Sequence, residues 1–293
     1  MSIVVEQGFP DSDHHVLMSD GAKNGHYNPF HAQSSAEIAL ECVVATFIGI
    51  AWYNSIELVV LCFTTFKRYG GCYFWSLVVA SISIVPFALG YALLIFKIFP
   101  SYFSVALEVA GWWGMVTGQS MVLWSRLHLV VHSRRILRWT LIMIITDAIL
   151  FHVPASVLEF GAHSDNHPEF NPAFDIFERI QLVAFSVQEI VLSAIYAWAA
   201  IEMLKLTPRG HYKGILVHLL FINFVMISMD AAVVGVQYAG FFRIHVSLKA
   251  MFYSVKLKME YAILGRLVHV AAVPVHALSS YTPTERSNSV SRI

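Results

Sequence analysis

The sequence predicts an all-α protein, a bundle of seven transmembrane helices, and three observations lead to this prediction. Of the 293 residues, 57% are hydrophobic and only 13% are charged, which is about half the charged share of an ordinary soluble domain. Six long apolar runs are separated by short polar connections, and a seventh helical stretch carries several charges. Because a surface that faces lipid needs no charge to stay in its solvent, the bilayer is the expected environment.

The six apolar runs have the length of helices that cross a hydrocarbon core of about 30 Å. They cover residues 39–65, 74–96, 101–124, 138–160, 180–204 and 214–239. The connections "KRYGG", "KIFPS", "HSDNHPEFNP" and "LTPRGHY" contain the proline and glycine residues at which helices stop. Each run is therefore predicted to form one span.

Basic residues are distributed unequally between alternate connections, and cytoplasmic connections are those that collect Lys and Arg. The connections after the first, third and fifth runs hold Lys67, Arg68, Arg126, Arg134, Arg135, Arg138, Lys205, Arg209 and Lys213. The alternate connections hold only Lys97, Arg179 and Arg243. This distribution predicts that the N-terminus lies outside and the C-terminus in the cytoplasm.

The stretch from Arg243 to Arg266 is predicted to be the seventh span despite its charges, because the sixth run ends outside. Lys256 and Lys258 are then expected at the inner end of the helix, where their long stems reach the headgroups. Lys249 lies nearer to the outer end and requires a partner at membrane depth.

The membrane domain is predicted to cover residues 39–268, between two polar segments. Residues 1–38 have neither an apolar run nor a secretory signal and are expected to form a disordered extracytoplasmic segment. Residues 269–293 form a Ser/Thr-rich cytoplasmic tail that is open to phosphorylation. The chain is therefore expected to be a multi-pass protein of the plasma membrane.

Ionisable side chains at membrane depth usually face the bundle interior or a wet cavity. Polar stripes on the third, fifth and sixth helices, together with Lys249 of the seventh, place such groups in the outer half, where Asp230 and Lys249 are expected to form an ion pair. The predicted ligand-binding residues are Glu108, Trp112, Gln119, Glu189, Asp230 and Lys249. The alternative is that these groups only join the helices through hydrogen bonds.

A second polar set is predicted to lie between helices. It consists of Asn54, Glu57, Asp147, Asn223 and Gln237. Asn54 and Glu57 are three positions apart and are therefore neighbours on one helix face. These residues are expected to form hydrogen bonds with polar groups of neighbouring helices. The alternative is a role in a hinge or in carrying protons.

No catalytic residue, metal or cofactor is predicted. His128 and His132 have a spacing that can bind metal or haem, but adjacent arginines oppose metal binding. Lys249 is the type of residue that binds retinal, although it lies near the outer end of its span. Embedded carboxylic acids such as Glu57, Asp147, Glu189 and Asp230 are the groups that a membrane-bound terpene cyclase uses to protonate its substrate.

Three segments carry a family resemblance: "AWYNSIELVVLCFTTFKRYGGCYFWSLVVAS", "LWSRLHLVVHSRR" and "HVSLKAMFYSVKLKMEYAIL". They resemble an uncharacterised family of fungal seven-span integral membrane proteins. More distantly, the architecture is similar to that of G-protein-coupled receptors, in which an arginine at the position of Arg126 lies between an acidic and an aromatic residue. Here Ser125 and Leu127 stand at those two positions, and the seventh span has no Asn-Pro-x-x-Tyr.

The function expected from these features is that of a receptor-like sensor. A small molecule would bind in the outer-half cavity, and a cytosolic partner or anionic lipid would bind the inner basic residues Arg126, Arg134 and Arg135. With a formal net charge of zero, the chain has no general affinity for nucleic acid. A cyclase-type enzyme and a transporter are the alternatives.

Overall fold

The computed structural model describes residues 35–66, 70–96, 98–131, 133–163, 170–206 and 210–279, and all regular structure in this part of the chain is α-helical. The all-α prediction is therefore confirmed for the described residues. The helices are α1 (Ser35–Thr65), α2 (Cys72–Ile95), α3 (Ser101–Val130), α4 (Arg134–Ala162), α5 (Phe170–Leu206), α6 (Gly210–Tyr238) and α7 (Phe242–Ser279).

Consecutive helices run in opposite directions, and α7 returns to pack parallel to α1. Near the start of α7, Tyr91 of α2 donates a hydrogen bond to the backbone oxygen of Arg243. Near the other end, Tyr261 donates a hydrogen bond of 2.7 Å to Thr65 of α1. The end of the bundle at which α1 and α7 begin is called the amino end below, and the other is called the opposite end.

Five helices are long and apolar enough to cross a membrane, which indicates an integral membrane protein. The candidate segments are Glu37–Thr65, Cys72–Ile95, Arg134–Ala162, Pro172–Glu202 and Val217–Tyr238. They correspond to five of the six predicted apolar runs. The run 101–124 and the charged stretch 243–266 form the long helices α3 and α7, which are more polar. Their polarity follows from their position, because α3 packs against α2, α4, α5 and α7 and so faces other helices.

The helices extend beyond the apolar runs from which they were predicted. Helix α5 begins at Phe170 rather than at residue 180, and α7 continues to Ser279, past the predicted start of the tail. A hydropathy window detects only the part of a helix that would lie in hydrocarbon, so its polar ends are missed.

Several predictions fall outside the described residues. They concern residues 1–34 and 280–293, together with Lys67, Arg68, Lys97, His132, Arg209 and the side chains of Lys205, Lys213 and Arg266.

Helices α2 and α3 make a close contact that depends on glycine. A Cβ on Gly111 of α3 would lie 2.7 Å from the backbone oxygen of Ser83 on α2, a distance that a real side chain does not reach. Gly90 of α2 approaches α3 in the same way, since a Cβ there would lie 2.6 Å from the backbone oxygen of Ser104. Small residues at such contacts allow helix backbones in membranes to approach each other.

We expect Gly111→Leu to lower the free energy of unfolding by about 1–3 kcal/mol or more, because the leucine forces α2 and α3 apart. Gly235→Leu is the matched control, since nothing lies within 4 Å of a Cβ at this position of α6. Thermal unfolding of the two purified variants measures the difference. Equal stability of the two variants would show that the α2–α3 contact does not require glycine.

Candidate functional site

A cavity of about 510 Å³ lies at the amino end of the bundle, between α1, α2, α3, α4, α5 and α7. Its inner wall contains Glu108, Trp112 and Lys249, which are all less than a tenth exposed. Glu37 and Arg243 also line it and are exposed, so they mark its mouth. The volume lies within the range of about 300–1,000 Å³ that is typical of small-molecule sites.

The structure brings together three of the six predicted ligand-binding residues, Glu108, Trp112 and Lys249, in this cavity. Asp230 and Lys249 also line a small void of about 10 Å³, which has room for about one water molecule. Glu189 is 4% exposed and bonds to Lys256. Gln119 is 1% exposed and is not among the residues that line either space.

The cavity contains carboxylates that were not predicted, among them Glu159 of α4 and Glu178 of α5. Glu178 accepts a hydrogen bond of 3.2 Å from Gln237 on α6, and its Oε1 is 3.9 Å from Nδ1 of His245 on α7. A signal for Glu178 exists in the sequence, because it lies one turn before Gln181 and extends the polar stripe of α5. It was missed because it precedes the apolar run.

Lys249 is 7% exposed, and its ammonium lies 5.6 Å from the centre of the Trp112 ring. The predicted ion pair between Lys249 and Asp230 is wrong, because Asp230 is bound to Lys256 instead. Lys249 and Lys256 are seven positions apart, and residues so spaced lie on the same helix face two turns from each other. The predicted partner of Asp230, Lys249, therefore lies on the correct face of α7, but two turns nearer to the amino end than the actual partner, Lys256.

Lys256 is the centre of a buried ion cluster that joins α5, α6 and α7. Its ammonium donates a hydrogen bond of 2.8 Å to Glu189 and a further one to Asp230. Tyr253 donates a hydrogen bond of 3.0 Å to the second oxygen of Glu189. Lys256 is 1% exposed, so the expectation that it extends to the headgroups is wrong. Its position in the sequence gave no indication of its two carboxylate partners.

A second buried cluster lies nearer to the opposite end. Arg126 of α3 donates hydrogen bonds of 2.8 Å to Glu260 of α7 and 3.2 Å to Asn223 of α6. Its guanidinium carbon lies 4.2 Å from the ring centre of Tyr196 on α5. Arg126 is 2% exposed, so in this conformation a cytosolic partner cannot reach its side chain. Arg134 and Arg135, at the start of α4, are exposed.

The predicted interhelical polar residues occupy different surroundings. Lys258 pairs with Glu57 and donates a hydrogen bond of 2.8 Å to Asn54, which joins α7 to α1. Asn223 belongs to the Arg126 cluster and Gln237 binds Glu178. Asp147 of α4 is half-buried.

Helix α7 connects the cavity to both clusters. Lys249 lines the cavity, Lys256 is two turns further along, and Glu260 is a turn beyond that. The small void is lined by both Lys249 and Lys256, so polar side chains follow one another from the cavity towards the opposite end. The cavity and both ion clusters therefore each contain a residue of α7.

The described side chains include no group of three or more His, Cys, Asp or Glu residues placed to hold a metal ion. His128 is exposed near the end of α3, and its predicted companion lies outside the described part.

A family model matches most of the chain. No curated protein matches the chain. A family model described as "Domain of unknown function (DUF7703)" matches residues 32–277. This range begins just before α1 and ends within the last turn of α7, so it contains the cavity and both ion clusters. The chain therefore belongs to the DUF7703 family.

Proposed function

We propose that this protein is a receptor-like sensor of seven spans, in which a small molecule binds the cavity from outside and a cytosolic partner responds. The observation that carries the proposal is the cavity at the amino end, whose buried Lys249 stands on the same helix as the two ion clusters. A ligand site and an internal set of coupled helix contacts are the two parts that a sensor requires.

The orientation follows from the basic residues. Arg134, Arg135 and Arg138 are exposed together near the start of α4, at the opposite end. Because Lys and Arg accumulate on the cytoplasmic side, the opposite end is assigned to the cytoplasm and the cavity to the outside. The plasma membrane is the matching location. Arg134 and Arg135 are the residues proposed to contact a cytosolic partner or anionic lipid.

The proposed mechanism is a shift of α7. A ligand that bonds to Lys249 changes the forces on α7 at the cavity. The contacts of Lys256 with Glu189 and Asp230 and that of Glu260 with Arg126 then rearrange, because they are carried by the same helix. A ligand shifts such an equilibrium only through its different affinity for the two arrangements.

A transporter is the second candidate. It is favoured by the succession of buried polar groups from Lys249 through Lys256 to Glu260, since intramembrane ionisable residues often mark the pathway of an ion or substrate.

A small group that is attached covalently inside the cavity tests the proposal. Exposed Cys42 and Cys72 are replaced by serine, and Phe174→Cys, in the cavity wall, is modified with a trimethylammonium thiosulfonate. We expect hydrogen exchange around Glu260 in α7 to change by at least about fivefold, which corresponds to a coupling of about 1 kcal/mol. Mass spectrometry of the full chain in nanodiscs measures this exchange.

The matched control is Tyr102→Cys, an exposed position at the same end of the bundle that is not part of the cavity wall. Its modification is expected to leave exchange in α7 unchanged. If the Phe174→Cys protein also shows no change when fully modified, the cavity is not coupled to the opposite end and the sensor role is refuted.

A further inference from the structure

The inner wall of the cavity contains a buried cation that lacks a close carboxylate. Lys249 is 7% exposed, and among the described residues no carboxylate oxygen lies within 4.0 Å of its ammonium. Its ammonium lies 5.6 Å from the centre of the Trp112 ring. The other buried cations, Arg126 and Lys256, both have a carboxylate at 2.8 Å. A buried ammonium without such a partner is costly and is a site for an anionic group.

The same cavity holds more carboxylates than cations. Glu108 and Glu178 are 8% and 7% exposed, and Glu159 lines the cavity beside them. Gln237 holds Glu178 in place through its amide. In the described part of the chain, Lys249 and Arg243 are the lysine and arginine side chains that line the cavity, and Arg243 is exposed at its mouth. An ammonium group of a ligand would be attracted to this side of the cavity.

Part of the remaining wall is aromatic. Phe87, Tyr91, Trp112 and Phe174 line it. Aromatic faces stabilise both an ammonium group and an apolar side chain of a ligand. The cavity volume of about 510 Å³ leaves room for a side chain of the size of a benzyl group.

We infer that the cavity selects a zwitterionic amine of the α-amino acid type with an apolar or aromatic side chain. Its carboxylate would bind Lys249, and its ammonium group would bind the side of the cavity that contains Glu108, Glu159 and Glu178. This assignment rests on the proposed function, for which it names the ligand class.

Three matched probes test the ligand class: phenylalanine, phenethylamine, which lacks the carboxylate, and 3-phenylpropionate, which lacks the amine. Isothermal titration with the full chain in nanodiscs measures each affinity. We expect phenylalanine to bind at least about tenfold more tightly than either partial analogue. Phenethylamine or phenylpropionate binding as tightly as phenylalanine would overturn the zwitterion assignment, and so would the failure of all three to bind.

Two substitutions assign the charges to residues. In Lys249→Gln, the affinity for phenylalanine is expected to fall to that for phenethylamine. The affinity for phenethylamine is expected to stay unchanged, which also shows that the variant is folded. Glu178→Gln is expected to lower the affinity for phenylalanine and phenethylamine, which carry the amine, but not the affinity for phenylpropionate. An equal loss for all three probes in Lys249→Gln would contradict a carboxylate contact at this residue. The tethering experiment at Phe174 does not depend on ligand class, so it separates failure of this assignment from failure of the sensor role.

Discussion

Replacement of Lys256 by methionine is expected to lower the free energy of unfolding by about 3–5 kcal/mol. Lys256 is 1% exposed and is bound to two carboxylates, Glu189 at 2.8 Å and Asp230. Without the ammonium these two acidic groups remain buried with no cation between them. Removing one partner of a buried ionic group is costly because the other is left without compensation.

Lys258→Met is the matched control, because Lys258 lies two positions away on the same helix and also pairs with a glutamate. Its side chain and that of Glu57 are 28% and 39% exposed, so this pair contains one carboxylate and is less enclosed by the bundle than Lys256, and we expect a smaller loss of stability. Thermal or denaturant unfolding of both variants in the same detergent gives the comparison.

A rescue variant separates charge from packing. Lys256→Met combined with Glu189→Gln and Asp230→Asn removes the unpaired charges and is expected to recover most of the lost stability. If Lys256→Met is as mild as Lys258→Met, the cluster does not hold α5, α6 and α7 together. If the triple variant is no more stable than Lys256→Met, the loss does not come from uncompensated charge.

The architecture could be predicted in large part because hydropathy is a local property of the sequence. Five apolar runs form helices that are long and apolar enough to cross a membrane. Helices α3 and α7 were located as well, but their polar character reflects their packing against other helices, which no window along the chain reports. The start of α5 at Phe170 was missed for a related reason, since the turns before residue 180 are not apolar.

The candidate site was predicted less completely. Depth and helix face can be read from the sequence, and they brought Glu108, Trp112 and Lys249 into one predicted site, where the structure also places them. The partner of a buried charge depends on how helices distant in sequence are rotated and offset. Asp230 was therefore assigned to Lys249 and not to Lys256, one heptad further along α7.

The burial of Arg126 is a second case in which the partners of a charge could not be predicted from the sequence. Its place at the end of the third apolar run is typical of a side chain at the cytoplasmic surface, yet Glu260 and Asn223 bind it inside the bundle. Both partners come from helices about a hundred residues or more along the chain. A basic residue near a helix end is exposed only if no such partner lies opposite, and sequence order does not determine this.

The most direct measurement is the side of the membrane from which the cavity mouth can be reached. Arg243→Cys places a thiol at the mouth, and Arg135→Cys places one at the opposite end; both positions are exposed. With Cys42 and Cys72 replaced by serine, a membrane-impermeant maleimide applied to intact cells should label Arg243→Cys and leave Arg135→Cys unlabelled until the cells are permeabilised. Labelling of Arg135→Cys but not Arg243→Cys in intact cells would place the cavity in the cytoplasm and contradict a sensor of external ligands.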